Sequence, residues 1–94
     1  MNAIDRKHRV NLAPGVRWQT DRATGEAVLL YPEGILLLNE TAREVVARCD
    51  GKTTMAEIVV VLAAEYESSA AELESDVAEC LDDLRRRKLI VFAP

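Results

Sequence analysis

A chain of 94 residues, 49% hydrophobic and 30% charged, has room for one core and has the balance of a folded domain, not a disordered tail. Its net charge of −4 and pI near 5.0 exclude a general nucleic-acid binder, which needs a basic face to release counterions from phosphate. No apolar run reaches the roughly 20 residues of a membrane span, and the opening MNAIDRKHRVNL lacks the apolar stretch of a secretory signal, so a cytoplasmic location is expected.

Residues 1–12 are polar, with Arg6, Lys7, His8 and Arg9 bunched together, and read as a flexible amino-terminal arm ahead of a single domain over 13–94. Pro14-Gly15 ends the arm. Val16 to Thr20 then alternates apolar and polar residues at period two, as a half-buried strand does. Asp21 to Gly25 has turn chemistry, and Glu26 to Tyr31 returns as a second strand. Pro32-Glu33-Gly34 predicts a three-residue hairpin with a bulge, followed by a third strand, Ile35–Leu38. That strand lacks polar alternation, so both of its faces are expected to want cover. Trp18, the only tryptophan, is expected to anchor this meander in the core.

Three helices follow, each behind a capping-box pattern: Thr41-x-x-Glu44, Thr54-x-x-Glu57 and Ser69-x-x-Glu72. The first turns Ala42, Val45, Val46 and Cys49 to one side and stops at Asp50-Gly51. The second carries Met55, Ile58, Val59, Leu62 and Tyr66, with Val60 and Val61 broadening the stripe, and is expected to be the most buried. In the third, Leu73, Val77, Cys80, Leu81 and Leu84 face inward. Lys88 to Phe92 ends as a short extended tail that pairs with the sheet or with another chain. The order βββααα, with this short carboxy-terminal strand, predicts a small α+β domain of winged-helix-like form.

Little in the sequence supports catalysis. The single histidine, His8, lies in the arm, and no Ser/His/Asp or Cys/His set can be assembled around it. There is no CxxC spacing and no glycine-rich phosphate loop, so neither a metal nor a cofactor is implied. Cys49 and Cys80 fall at helical apolar positions and read as buried thiols. The third helix instead carries an acidic stripe, Glu72, Asp76, Glu79 and Asp83, closed by Arg85-Arg86-Arg87-Lys88, which complements the helix dipole. The same stripe is suited to rim a groove between this helix and the edge strand Ile35–Leu38, where an extended peptide would add itself to the sheet.

The residues also carry a resemblance. Pro14-Gly15-Val16-Arg17, LLYPEG at 29–34, Leu38-Asn39 with Thr41-Ala42, Cys49-Asp50-Gly51, and Asp76-Val77 with Leu81 and Leu84 together resemble the PqqD family of pyrroloquinoline quinone (PQQ) biosynthesis. The match runs from about Leu12 to Leu89. The resemblance implies a RiPP recognition element: a non-catalytic peptide chaperone that holds the ribosomal precursor peptide PqqA and presents it to the radical SAM enzyme PqqE. It further implies that the peptide adds a strand beside the third strand and rests on the third helix. Carried onto this sequence, the peptide-binding residues are Ile35, Leu36, Leu37 and Leu38 on the strand. On the helix they are Asp76, Val77, Glu79, Cys80, Asp83, Leu84 and Arg87.

A second reading belongs to another class: a binding or carrier protein for the quinone or an intermediate, with Trp18, Tyr31 and the basic cluster as its contacts. The apolar edge strand leaves two assembly states open, a monomer and a strand-exchanged homodimer.

Overall fold

The computed structural model of the chain describes residues 6–93. Three strands expected from the sequence are present as β2 (Arg17–Thr20), β3 (Ala27–Tyr31) and β4 (Gly34–Leu37), an antiparallel meander in the order β2-β3-β4. Trp18 lies opposite Leu29 and Leu29 opposite Leu36, so these three share one face of the sheet. The turn into β4 is tighter than the three-residue hairpin expected. Tyr31 pairs with Gly34, so only Pro32 and Glu33 lie outside the ladder.

The other strands form a second sheet in which β1 (Arg9–Leu12) runs between β5 (Asp50–Thr54) and β6 (Ile90–Ala93). A flexible arm over 1–12 therefore does not describe residues 6–12; residues 1–5 lie outside the described part. Val10 is fully buried at the centre of this sheet. The backbone leading into it is fastened as well: the Arg6 and His8 carbonyls accept from the Ala56 and Met55 amides at 3.1 and 3.2 Å. Arg6 Nε also donates to the Glu74 carboxylate at 2.9 Å. The extended tail expected at the carboxy-terminal end is β6, and its partner is β1.

Strand β5 begins in a turn that Asp50 builds, its carboxylate accepting from the Lys52 and Thr53 amides, both at 2.9 Å. These bonds favour the charged form and hold the Asp50 carboxyl below its usual range. Gly51 sits in the left-handed region at φ +82°, and a Cβ there would stand 3.1 Å from Asn11 Nδ2. Glycine satisfies both constraints.

The helices are α1 (Glu40–Ala47), α2 (Met55–Tyr66) and α3 (Ala70–Arg86). The cap of α1 is Asn39, not Thr41: its Oδ1 accepts from the Ala42 amide at 2.7 Å, and helical backbone begins at Glu40. Thr54 and Glu57 form the full capping box at the start of α2, and the Ser69 hydroxyl accepts from the Glu72 amide at the start of α3. Leu73, Val77, Leu81 and Leu84 of α3 pack inward, with Ile58 and Leu62 of α2, Val45 and Val46 of α1, and Leu29 of β3. Val60 and Val61 do not broaden the buried stripe of α2; they point out, 65% and 37% exposed. Trp18 is likewise no core anchor. It lies on an edge strand whose four residues are all exposed, and Leu29, from the central strand, fills the core in its place.

Candidate functional site

The site begins with the backbone of β4. The Leu38 amide donates to the Ala27 carbonyl at 3.0 Å. In an antiparallel pair such bonds fall on every second residue, so Leu36 also turns its N–H and C=O toward β3. The intervening residues, Ile35 and Leu37, therefore direct theirs to the open side. Side chains alternate as well. Leu36 and Leu38 turn inward and are half-buried, whereas Ile35 and Leu37 stand 64% and 66% exposed on the other face. Only one face of the strand is covered, although its sequence is apolar on both.

Facing the open edge is α3. Its Leu73, Val77, Leu81 and Leu84 stripe anchors it in the core, and this fixes the adjoining face toward β4. Between the two elements lies a cavity of about 620 Å³, with Leu36, Leu37 and Leu38 on one wall and Asp76, Glu79, Cys80, Asp83 and Leu84 on the other. Eight of the eleven residues singled out from the sequence thus meet at one cavity. Ile35 contributes the open edge without lining it. Val77 is fully buried in the core and does not line the cavity. Arg87 turns back along the helix, its Nε donating to Asp83 at 3.1 Å, and does not line the cavity.

The sequence reading missed Asn39, Thr41 and Ala42, which close one end of the groove, and Asp82 and Arg86 on the helix. Helical spacing from Glu79 would have found the last two. The first three belong to the α1 cap, whose placement beside the groove is a tertiary matter.

The carboxylates of α3 divide into two kinds. Asp82 pairs with Arg85 and, at 2.9 Å, with Arg86, and the Arg85 hydrogen bond foremost holds its carboxyl below the usual range. Asp83 is engaged by Arg87. Asp76 and Glu79 are exposed and have no ion-pair partner among the described residues. They give the mouth of the groove a negative potential that disfavours an acidic ligand group. Burial pushes the Cys80 thiol up to about 11 and the Cys49 thiol up to about 12, so both are protonated at neutral pH. The groove thus offers backbone pairing, an aliphatic wall and two free carboxylates.

The family model of coenzyme PQQ synthesis protein D (PqqD) matches residues 26–90, which takes in β3, β4 and all three helices. The chain belongs to the PqqD family. Curated relatives agree over almost the whole length. One from Xanthomonas axonopodis pv. citri, named PqqA binding protein, is 42% identical over 96% of this chain and 98% of its own. Another of the same name, from Xanthomonas oryzae pv. oryzae (strain PXO99A), is 41% identical over the same shares.

Two solved PqqD structures resemble this PqqD-family chain. The solution NMR structure of the PqqD truncation of Methylobacterium extorquens PqqCD, described as a functional and stand-alone RiPP recognition element, superposes with a TM-score of 0.81 at 28% identity, covering 95% of each chain. The crystal structure of PqqD from Xanthomonas campestris gives a TM-score of 0.57 at 41% identity, covering 92% of this chain and 96% of the other. The α+β architecture expected from the sequence is therefore that of the PqqD structures. No helix among the described residues is long and apolar enough to cross a membrane.

Proposed function

We propose that this PqqD-family chain is a non-catalytic, cytoplasmic peptide chaperone of PQQ biosynthesis. It binds the precursor peptide PqqA by strand addition along β4 and presents it to the radical SAM enzyme PqqE. The observation that carries the reading is the pair of outward backbone positions, Ile35 and Leu37, at the lip of a groove closed on its far side by α3. An extended peptide there satisfies unpaired edge groups with its own backbone while its side chains meet the helix. The relatives' name, PqqA binding protein, supports the choice of peptide. Aliphatic side chains and the protonated Cys80 thiol at the groove support holding the peptide and not reacting with it.

The binding form in this reading is the monomer, because a strand-exchanged homodimer joined through β4 would occupy the edge the peptide needs. The test is a titration of the chain with PqqA, followed by amide shifts in NMR. Shifts concentrated at 35–38 and along the groove face of α3 are expected. A folded, monomeric chain whose β4 amides do not move at saturating peptide would end the reading.

A further inference from the structure

We infer that Ile35 and Leu37 read the bound peptide twice, with their backbone groups and with their side chains, and so select a segment in which every second residue is apolar. The inference rests on strand addition at β4 as proposed above and concerns the outer face of the sheet, where Leu37, at the edge, borders both this face and the groove. Residues directly across a strand pair share a face. The peptide residues opposite Ile35 and Leu37 therefore project to the outer face, and the residue between them projects into the groove.

That outer face is built for apolar company. Ile35 pairs with Leu30 and Leu37 with Val28, giving four aliphatic side chains in a block that runs up to the open edge. They line a second cavity of about 630 Å³, whose remaining lining comes from the end of β2 and the turn after it, Gln19 to Arg22. Ile35 and Leu37 are 64% and 66% exposed at the margin of this block. Edge strands are ordinarily guarded by lysine, proline or a bulge against pairing with another strand. Gly34–Leu37 carries none of these, and its two outward amides belong to the same two residues whose aliphatic side chains are uncovered. A strand laid on that edge extends the apolar block by one column. Apolar side chains at its alternate positions cover Ile35 and Leu37, while polar ones leave them facing water. The occupant is therefore the peptide strand itself, and the selected chemistry is apolar, any residue, apolar.

The test is a double-mutant cycle read by calorimetry with synthetic PqqA. On the protein side the variant is Ile35→Thr with Leu37→Thr, which keeps strand propensity and both outward amides. On the peptide side, single serine substitutions are walked along the bound segment. The threonine variant, folded by its amide spectrum, is expected to bind PqqA about tenfold or more weakly. Serine at outer-facing peptide positions should weaken binding to the wild-type chain and have little effect on the threonine variant. Serine at groove-facing positions should weaken both alike.

Wild-type affinity in the threonine variant overturns the inference, as does an equal loss at all peptide positions in both chains. Unchanged peptide affinity with loss of association to PqqE would assign the outer face to the enzyme instead, and that also overturns it. Failure of the wild-type chain to bind PqqA at all is a different result, because it removes strand addition and not only the side-chain selection.

Discussion

The Leu38 amide donates to the Ala27 carbonyl at 3.0 Å, and this bond fixes the direction of every backbone group in β4. Through it Leu36 faces β3, and Ile35 and Leu37 face the groove's open lip. The groove thus has two chemically distinct sets of strand residues, one offering backbone and the other side chains.

Proline substitution separates these roles. Leu37→Pro removes an outward amide and leaves the β3 ladder intact, so peptide binding should be lost with the helices retained. Leu36→Pro removes an amide that β3 uses and should destabilise the sheet itself. Far-ultraviolet circular dichroism and calorimetric titration of the two variants check this. A Leu37→Pro chain that binds with wild-type affinity would contradict the edge assignment.

The cap of α1 offers a second check. Asn39→Ala removes the acceptor for the Ala42 amide and should cost about 1 kcal/mol in urea unfolding. Thr41→Ala should cost clearly less, because Thr41 lies inside the helix. The reverse order would restore the capping box suggested by Thr41 and Glu44.

Lys88 is in the left-handed conformation at φ 63° just past Arg87, the carboxy-terminal cap of α3, with the Leu89 amide donating to the Leu84 carbonyl and the Lys88 amide to the Arg85 carbonyl. This is the geometry in which glycine carries no Cβ penalty. Lys88→Gly should therefore stabilise the chain by about 1 kcal/mol, offset in part by the greater freedom of glycine in the unfolded state. Urea midpoints at equal m-value measure the difference. A lower midpoint for the glycine variant would show that the Lys88 side chain contributes more than its backbone strain costs.

The Asp50 turn makes a pH-dependent prediction. Because hydrogen bonds from Lys52 and Thr53 depress the folded-state pKa of Asp50, its contribution is present above the unfolded value and is lost as pH falls through the folded value. The stability gap between the wild-type chain and Asp50→Ala should be constant from neutral pH to about 5 and close below about 4. Thermal unfolding from pH 7 to pH 3 follows it. A gap that persists unchanged at pH 3 would place the effect of Asp50 outside its carboxylate.

The local pattern of this sequence determined the meander, the three helices and the inward stripe of α3, whereas the meeting of β4 with α3, more than thirty residues apart in the chain, is a tertiary matter. The meander, helices and stripe depend on contacts between residues close in the chain, or on periodicities of two and 3.6 that any folded partner must respect. The central strand Arg9–Leu12 could not be read this way. Four residues, two of them polar, carry too little pattern, and their partners at Asp50–Thr54 and Ile90–Ala93 lie far along the chain. Trp18 and the Val60-Val61 pair were misplaced for a related reason. Apolar character states that a side chain gains by burial, but which side chains find cover is settled by how many elements are available to cover them. The same limit applies at Ile35–Leu38: composition marked the strand as special, but only the Leu38–Ala27 bond decided that Ile35 and Leu37 face outward. The phase of a hydrogen-bond ladder is set by the neighbouring strand, and no residue type records it.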